Sequence, residues 1–290
     1  MADNEKWLVF IDTNIMLDFY RLPGEAADRQ IASLVKHLDS IIVTEQVKME
    51  FLKNRQKVIF DSIKRLSFPN IESAPMIVSG SKSVTAFNRK IKESKKLYNK
   101  VQNRVGLILS DPARYDPVFR GLKKLFAHNS NINLKRPDPL RFTIRNLARK
   151  RFSLGYPPRK SGDTSIGDAL NWEWIIHCAQ SSTDHANIMI VSRDGDYGVT
   201  YDKVAILNDW LKEEFKKRVS QKRKIVLSNK LADALKILDE NVRYEDEAAE
   251  DNLIDRWIQG SFPIDYSNLR PFGGLVVNRS TPNHDDDTEA

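Results

Sequence analysis

Cysteine is almost missing from this chain: Cys178 is the only one in 290 residues. An intrachain disulfide is therefore excluded, as is a zinc site built on several cysteines, and a reducing cytoplasm is the expected location. No run of about 18 apolar residues occurs, which excludes a membrane-spanning helix of ordinary composition. The opening "MADNEK" lacks the basic start and apolar stretch of a secretory signal. Histidine is sparse and scattered, at positions 37, 128, 177, 185 and 284, and His177 beside Cys178 has no metal-ligand spacing. Acidic residues are scarce in one region only. Residues 81–160 hold 21 Lys and Arg against 4 Asp and Glu, whereas residues 239–290 hold 4 against 13. The basic block suits a phosphate backbone; its plain alternative is a solvated helical surface.

What is present reads as alternating strands and helices. Residues 7–11, 40–44 and 186–192 are short apolar runs with the character of buried strands. Helical spacing covers 25–38, 45–66, 84–108, 117–127, 141–150 and 165–180, with residues 129–140 and 155–163 as connections. A strand followed by a helix is expected over 224–241, and a short helical patch over 249–258. The fold class is therefore α/β, a Rossmann-like parallel sheet flanked by helices. Residues 67–154 interrupt the alternation as a basic helical insertion. The expected organisation is one domain over 1–240, with its core in 7–66 and 155–240, and an acidic tail over 241–290.

Two acidic positions fall where such a fold binds ligands, beyond the carboxyl ends of its strands, and two more sit on helices. Asp12 ends the first strand. Asp194 follows the third, with Asp196 two residues on, and parallel neighbours would place Asp12 and Asp194 on one edge. Glu50 borders the apolar stripe of its helix, and Asp168 lies in the first turn of another. Taken singly, each has a structural reading: Asp12 caps the helix after it and Asp168 complements a helix N-terminus. Taken together, they make a like-charge cluster that calls for a divalent cation. The donors are oxygens, so Mg²⁺ or Mn²⁺ is the expected ion.

Four segments in order resemble the PIN domain, a metal-dependent nuclease fold. "FIDTNIMLDFYR" carries Asp12 and Asn14; "IIVTEQVKMEFLKNR" carries Glu50; "SIGDALNWEWIIHCA" carries Asp168; "IMIVSRDGDYG" carries Ser192, Asp194 and Asp196. The pairing of "DTNIMLDFYR" with "SIGDALNWE" looks more like the larger bacterial PIN-like proteins than the compact toxin type. The stretch from Glu50 to Asp168 is longer than in compact members, and the basic insertion accounts for it. The resemblance implies phosphodiester hydrolysis, with Asp12, Glu50, Asp168 and Asp194 as catalytic residues. Together with Asp196 they would hold the metal. Asn14 and Ser192 would orient ligands or the scissile phosphate, and Arg159 and Lys160 would grip phosphate oxygens. Single-stranded RNA is the expected substrate. A DNA flap or single-strand nuclease, and a catalytically silent PIN-fold nucleic-acid-binding module, are the alternatives. A homodimer, and autoinhibition or partner binding through the acidic tail, are further expectations.

Two other aspartate-based folds compete less well. A haloacid-dehalogenase-type phosphatase needs a second aspartate where Asn14 stands. A Toprim nuclease matches "RDGDY" but wants a glutamate where Asp12 stands. Trp172 and Trp174 lie about 200° apart round one helix; Trp174 is the better candidate for a surface, though core or interface packing is expected of both.

Overall fold

The apolar runs pair into one sheet because each can bury both faces. In this computed structural model, which describes residues 5–64, 77, 80–159 and 165–258, the chain begins with β1 (Trp7–Ile11), α1 (Thr13–Asp18) and α2 (Gly24–Lys36). A short 3₁₀ turn leads to β2 (Ile41–Thr44) and α3 (Glu45–Lys64). The basic block forms α4 (Lys82–Ser110), α5 (Pro112–Tyr115), α6 (Pro117–Ala127), β3 (Asn133–Leu134) and α7 (Leu140–Leu154). There follow α8 (Gly167–Ser181), β4 (Asn187–Val191), β5 (Gly198–Tyr201), β6 (Val204–Leu207), α9 (Asp209–Arg218), β7 (Ile225–Ser228), α10 (Leu231–Ile237) and α11 (Tyr244–Ile258).

The main sheet has five strands in the order β3-β2-β1-β4-β7, and every pair is parallel. Helices α3, α6 and α8 pack against β2, and α10 packs against β1, β4 and β7. This is the expected α/β architecture. The chain leaves β1 toward β2 on one side and returns to β4 on the other. The strand order therefore reverses between β1 and β4, where a doubly wound sheet opens a crevice.

One stretch differs from its sequence reading. Residues 129–140 are more than a connection, because Asn133 and Leu134 pair in parallel with Val43 and Thr44 as an edge strand. The turn after β4 continues into an antiparallel hairpin, β5–β6, where a Cβ on Gly198 would come within 2.0 Å of the Ile206 carbonyl oxygen. Only a residue without a side chain permits that approach.

The basic block is bound into the core by two buried ionic networks. Arg55 lies on the buried stripe of α3 with Val47, Phe51 and Val58. It donates to Asp116 at 2.8 Å and to the Ile108 carbonyl at 2.6 Å, while Tyr20 donates to the same Asp116 oxygen at 2.7 Å. Asp116 in turn caps α6. On the other side, Arg151 of α7 and Arg218 of α9 both hold Glu173 of α8, at 2.8 and 2.7 Å, and both reach Glu214. Helix α8 is apolar nearly all round because it is covered nearly all round. Trp172 and Trp174 are both buried; their indole nitrogens donate to Glu214 at 3.1 Å and to the Ile132 carbonyl at 2.8 Å.

The described part of the acidic end is α11. Glu250 accepts the Leu231 and Ala232 amides at the start of α10, at 3.1 and 2.9 Å. Asp246 pairs with Arg29, Asp251 with Lys230, Glu247 with Lys236 and Asp255 with Lys203. None of these four cations belongs to the 81–160 block. Residues 259–290 lie outside the described residues, and among the described residues no helix is long and apolar enough to cross a membrane.

Candidate active site

The register of the sheet builds the site. Ile11 pairs with Val191, and the Asp12 amide donates to the Val191 carbonyl at 3.0 Å. Asp12 and Ser192, 180 positions apart in sequence, are therefore side by side at the reversal point of the strand order. The buried Asp12 carboxylate is fully engaged. One oxygen accepts the Thr13 amide at 2.6 Å as the cap of α1; the other accepts Asn14 Nδ2 at 2.7 Å and Ser192 Oγ at 2.5 Å. Ser192 Oγ also accepts the Asp194 amide at 3.0 Å, and Asp194 accepts the Asp196 amide at 3.1 Å. The loop after β4 is thus folded on its own carboxylates, as Asx-type turns are. An ion pair between Arg193 and Asp18 ties the same loop to α1.

The remaining acids come from two helices in close contact. Glu50 of α3 accepts Gln46 Nε2 at 2.6 Å and Thr13 Oγ1 at 3.0 Å. Gly167 opens α8 against this pair: a Cβ there would lie 2.7 Å from Gln46 Nε2 and 2.8 Å from Glu50 Oε1. That approach brings Asp168 to the edge of the crevice. Asp168, Asp194 and Asp196 each offer a carboxylate oxygen such that all three lie within 4.8 Å of one another. Asp12 and Glu50 stand beside this triplet without belonging to it.

Crowding of like charges shows in the protonation of Asp12. Burial, then the Asp194 carboxylate, and more weakly Glu50, lift its pKa from 3.8 to about 7, against the opposing hydrogen bonds from Ser192 and Thr13. Tyr197 feels the same field. Burial raises its hydroxyl well above the ordinary value, with Asp168, Asp12, Asp194 and Glu50 adding in that order. Its oxygen is buried and makes no hydrogen bond among the described residues, and its ring packs 6.2 Å from Phe10.

The donor set fits a hard divalent cation. It offers carboxylate oxygens within shared reach of one another, and a cation is the partner that relieves the repulsion between such like charges. Softer ligands are elsewhere: Cys178 is buried against the Ile132 carbonyl and His177 stacks on Trp174 at 5.0 Å.

The five acids with Asn14 and Ser192 are thus gathered at one sheet edge. Arg159 is not brought into that cluster; its guanidinium lies over the Phe152 ring at 4.5 Å. Lys160 lies outside the described residues, as does Asp163. Sequence reasoning missed Thr13, Gln46 and Tyr197. Gln46 carried a signal, standing one turn before Glu50 on the same helix. Tyr197 followed Asp196 directly, but only the fold turns it toward all the acids.

A parallel sheet of this order, with carboxylates gathered at its reversal point, defines an α/β protein with an acidic cluster at the strand ends that could hold a cation. A family model described as the PIN domain matches residues 9–197, from β1 to the loop after β4, and the chain belongs to that family, whose fold is of the nuclease type. No curated protein and no solved structure matches the chain.

Proposed function

We infer that the protein is a metal-dependent nuclease that hydrolyses phosphodiester bonds, with single-stranded RNA as its preferred substrate. The reading rests on one observation above the others: Asp168, Asp194 and Asp196 offer oxygens within 4.8 Å of one another at the sheet reversal point, beside Asp12 and Glu50. These five carboxylates would hold Mg²⁺ or Mn²⁺. When bound, such an ion supplies a water of lowered pKa and stabilises charge on the phosphoryl oxygens. Asp12 is locked by Asn14, Ser192 and the Thr13 amide, so it meets its ligand with little reorganisation. Thr13 and Gln46 hold Glu50 in the same way. The basic block supports a nucleic-acid substrate, and Arg159 and Lys160, which precede α8 in sequence, are proposed to meet its phosphates.

The test is cleavage of labelled single-stranded RNA and DNA by the full chain, with Mn²⁺, with Mg²⁺ and with chelator, beside Asp12→Asn and Asp168→Asn. The expected result is metal-dependent cutting, faster on RNA, lost in both variants. Cutting that survives in both variants sinks the carboxylate assignment. Faster cutting of DNA sinks the substrate assignment alone.

A further inference from the structure

Along the same sheet edge lies a second concavity of different construction, with a volume of about 210 Å³. Met49, Leu134 and Leu170 give it apolar walls, and Glu45, Gln46, Arg136 and Arg141 complete the lining. Three features join it to the carboxylates. Glu45 and Gln46 follow the last residue of β2, and Arg136 follows the end of β3. Because the sheet is parallel, these residues share an edge with Asp12 and Ser192. Gln46 is a common wall, since its amide nitrogen donates to Glu50 at 2.6 Å while its side chain lines the pocket. Leu170 comes from the first turn of α8, two positions after Asp168. Two strand spacings, about 10 Å, separate β3 from β1, the reach of a neighbouring nucleotide.

The lining limits the occupant. The volume is below the roughly 300–1,000 Å³ that holds a drug-sized ligand, so one flat ring system is the fitting size. Met49 is half-exposed and supplies the apolar surface for a ring face, with Leu134 and Leu170 buried behind it. Gln46 has its amide nitrogen turned to Glu50, so its oxygen is left as an acceptor. Glu45 is an acceptor too, oriented by Lys48 at 3.3 Å. Arg136 and Arg141 make no side-chain hydrogen bond or ion pair among the described residues, and a guanidinium without a protein partner is suited to a phosphate.

We propose that this pocket takes one unpaired nucleobase of the substrate strand. The base sits beside the nucleotide whose phosphate faces Asp168, Asp194 and Asp196, and Arg136 and Arg141 hold the flanking phosphates. The acceptor-lined mouth favours bases with an exocyclic amino group over uracil. A base held face-on cannot be paired, so the same pocket accounts for a preference for single strands. This assignment rests on the nuclease reading above, and the experiment is arranged so that the two fail differently.

The full chain is titrated against short homopolymeric single-stranded RNAs of each base by fluorescence anisotropy, in chelator and with Ca²⁺. Wild type runs beside Met49→Trp, Glu45→Gln and the double variant Arg136→Ala/Arg141→Ala, with circular dichroism checking the fold of each. Wild type is expected to bind oligo-A or oligo-C more tightly than oligo-U. Met49→Trp, which fills the pocket, should weaken binding roughly fivefold or more and erase that preference. Glu45→Gln adds a donor at constant size and should shift preference toward uracil. The double arginine variant should lose affinity for all strands alike and lower the salt dependence by about two phosphate contacts. Met49→Trp and Glu45→Gln proteins that bind every homopolymer as wild type does would overturn the pocket and leave the nuclease reading intact. A folded wild type that binds no single strand, with or without Ca²⁺, overturns both.

Discussion

Asp12 caps a helix and faces two other carboxylates, and the two roles respond differently to substitution. Asparagine caps as well as aspartate does, so Asp12→Asn keeps α1 while removing a charge from the cluster. The raised pKa of Asp12 fixes the sign of a pH effect. Between its unfolded value of 3.8 and its folded value of about 7 the native state binds more protons than the unfolded one. Stability then falls as pH rises through that window and is level above it. In chelator, wild type is expected to melt at a higher temperature at about pH 5 than at about pH 8. Asp12→Asn should flatten this dependence and be at least as stable as wild type at the higher pH. Thermal denaturation across a pH series reads both, and an unchanged slope in the variant would place the titration on another group. Added Mn²⁺ should raise the melting temperature of wild type at the higher pH through ligand linkage.

At the scale of elements, the contact between α3 and α8 turns on Gly167. The atoms that an alanine Cβ would meet, Gln46 Nε2 and Glu50 Oε1, are ends of flexible side chains. The backbone can stay while Glu50 moves. Alanine also gains up to about 1 kcal/mol of helix propensity over glycine. Gly167→Ala is therefore expected to keep or raise the melting temperature while Mn²⁺ affinity falls roughly tenfold or more, as titration calorimetry would show. A variant with wild-type affinity would mean that the place of Glu50 is immaterial to the ion. Elements of this kind were unevenly legible. Strands β1, β2 and β4 declared themselves as continuous apolar runs, and α6 by its spacing. The acids were visible because a strand that ends on a carboxylate is unusual without a cap or a ligand. Strand β3 was not visible, since Asn133 and Leu134 gain strand character only by pairing with β2. Nothing local marks Arg55 and Glu173 as buried, because their partners Asp116, Arg151 and Arg218 come from distant segments. Trp174 lay opposite Trp172 on a helix whose full enclosure no local pattern announces.

For the whole molecule, the basic block is part of the fold. It supplies the edge strand of the sheet, the aspartate that satisfies Arg55, and the arginine that satisfies Glu173. A chain joined across residues 81–154 would leave Arg55 without Asp116, a loss of several kcal/mol, and Glu173 with Arg218 alone. Such a chain is expected to lose cooperative unfolding in urea, and a sharp wild-type-like transition would show the block to be dispensable. The acidic helix α11 is likewise spent on the body, pairing with Arg29, Lys203, Lys230 and Lys236. The register of β1 against β4 has a consequence in time. Asp12 emerges from the ribosome early, but the strand that seats it and the loop bearing Asp194 and Asp196 are made some 180 residues later. Until then the nascent chain carries an aspartate without a centre. The acidic cluster is therefore assembled only late in synthesis, once β4 and the loop after it have been made.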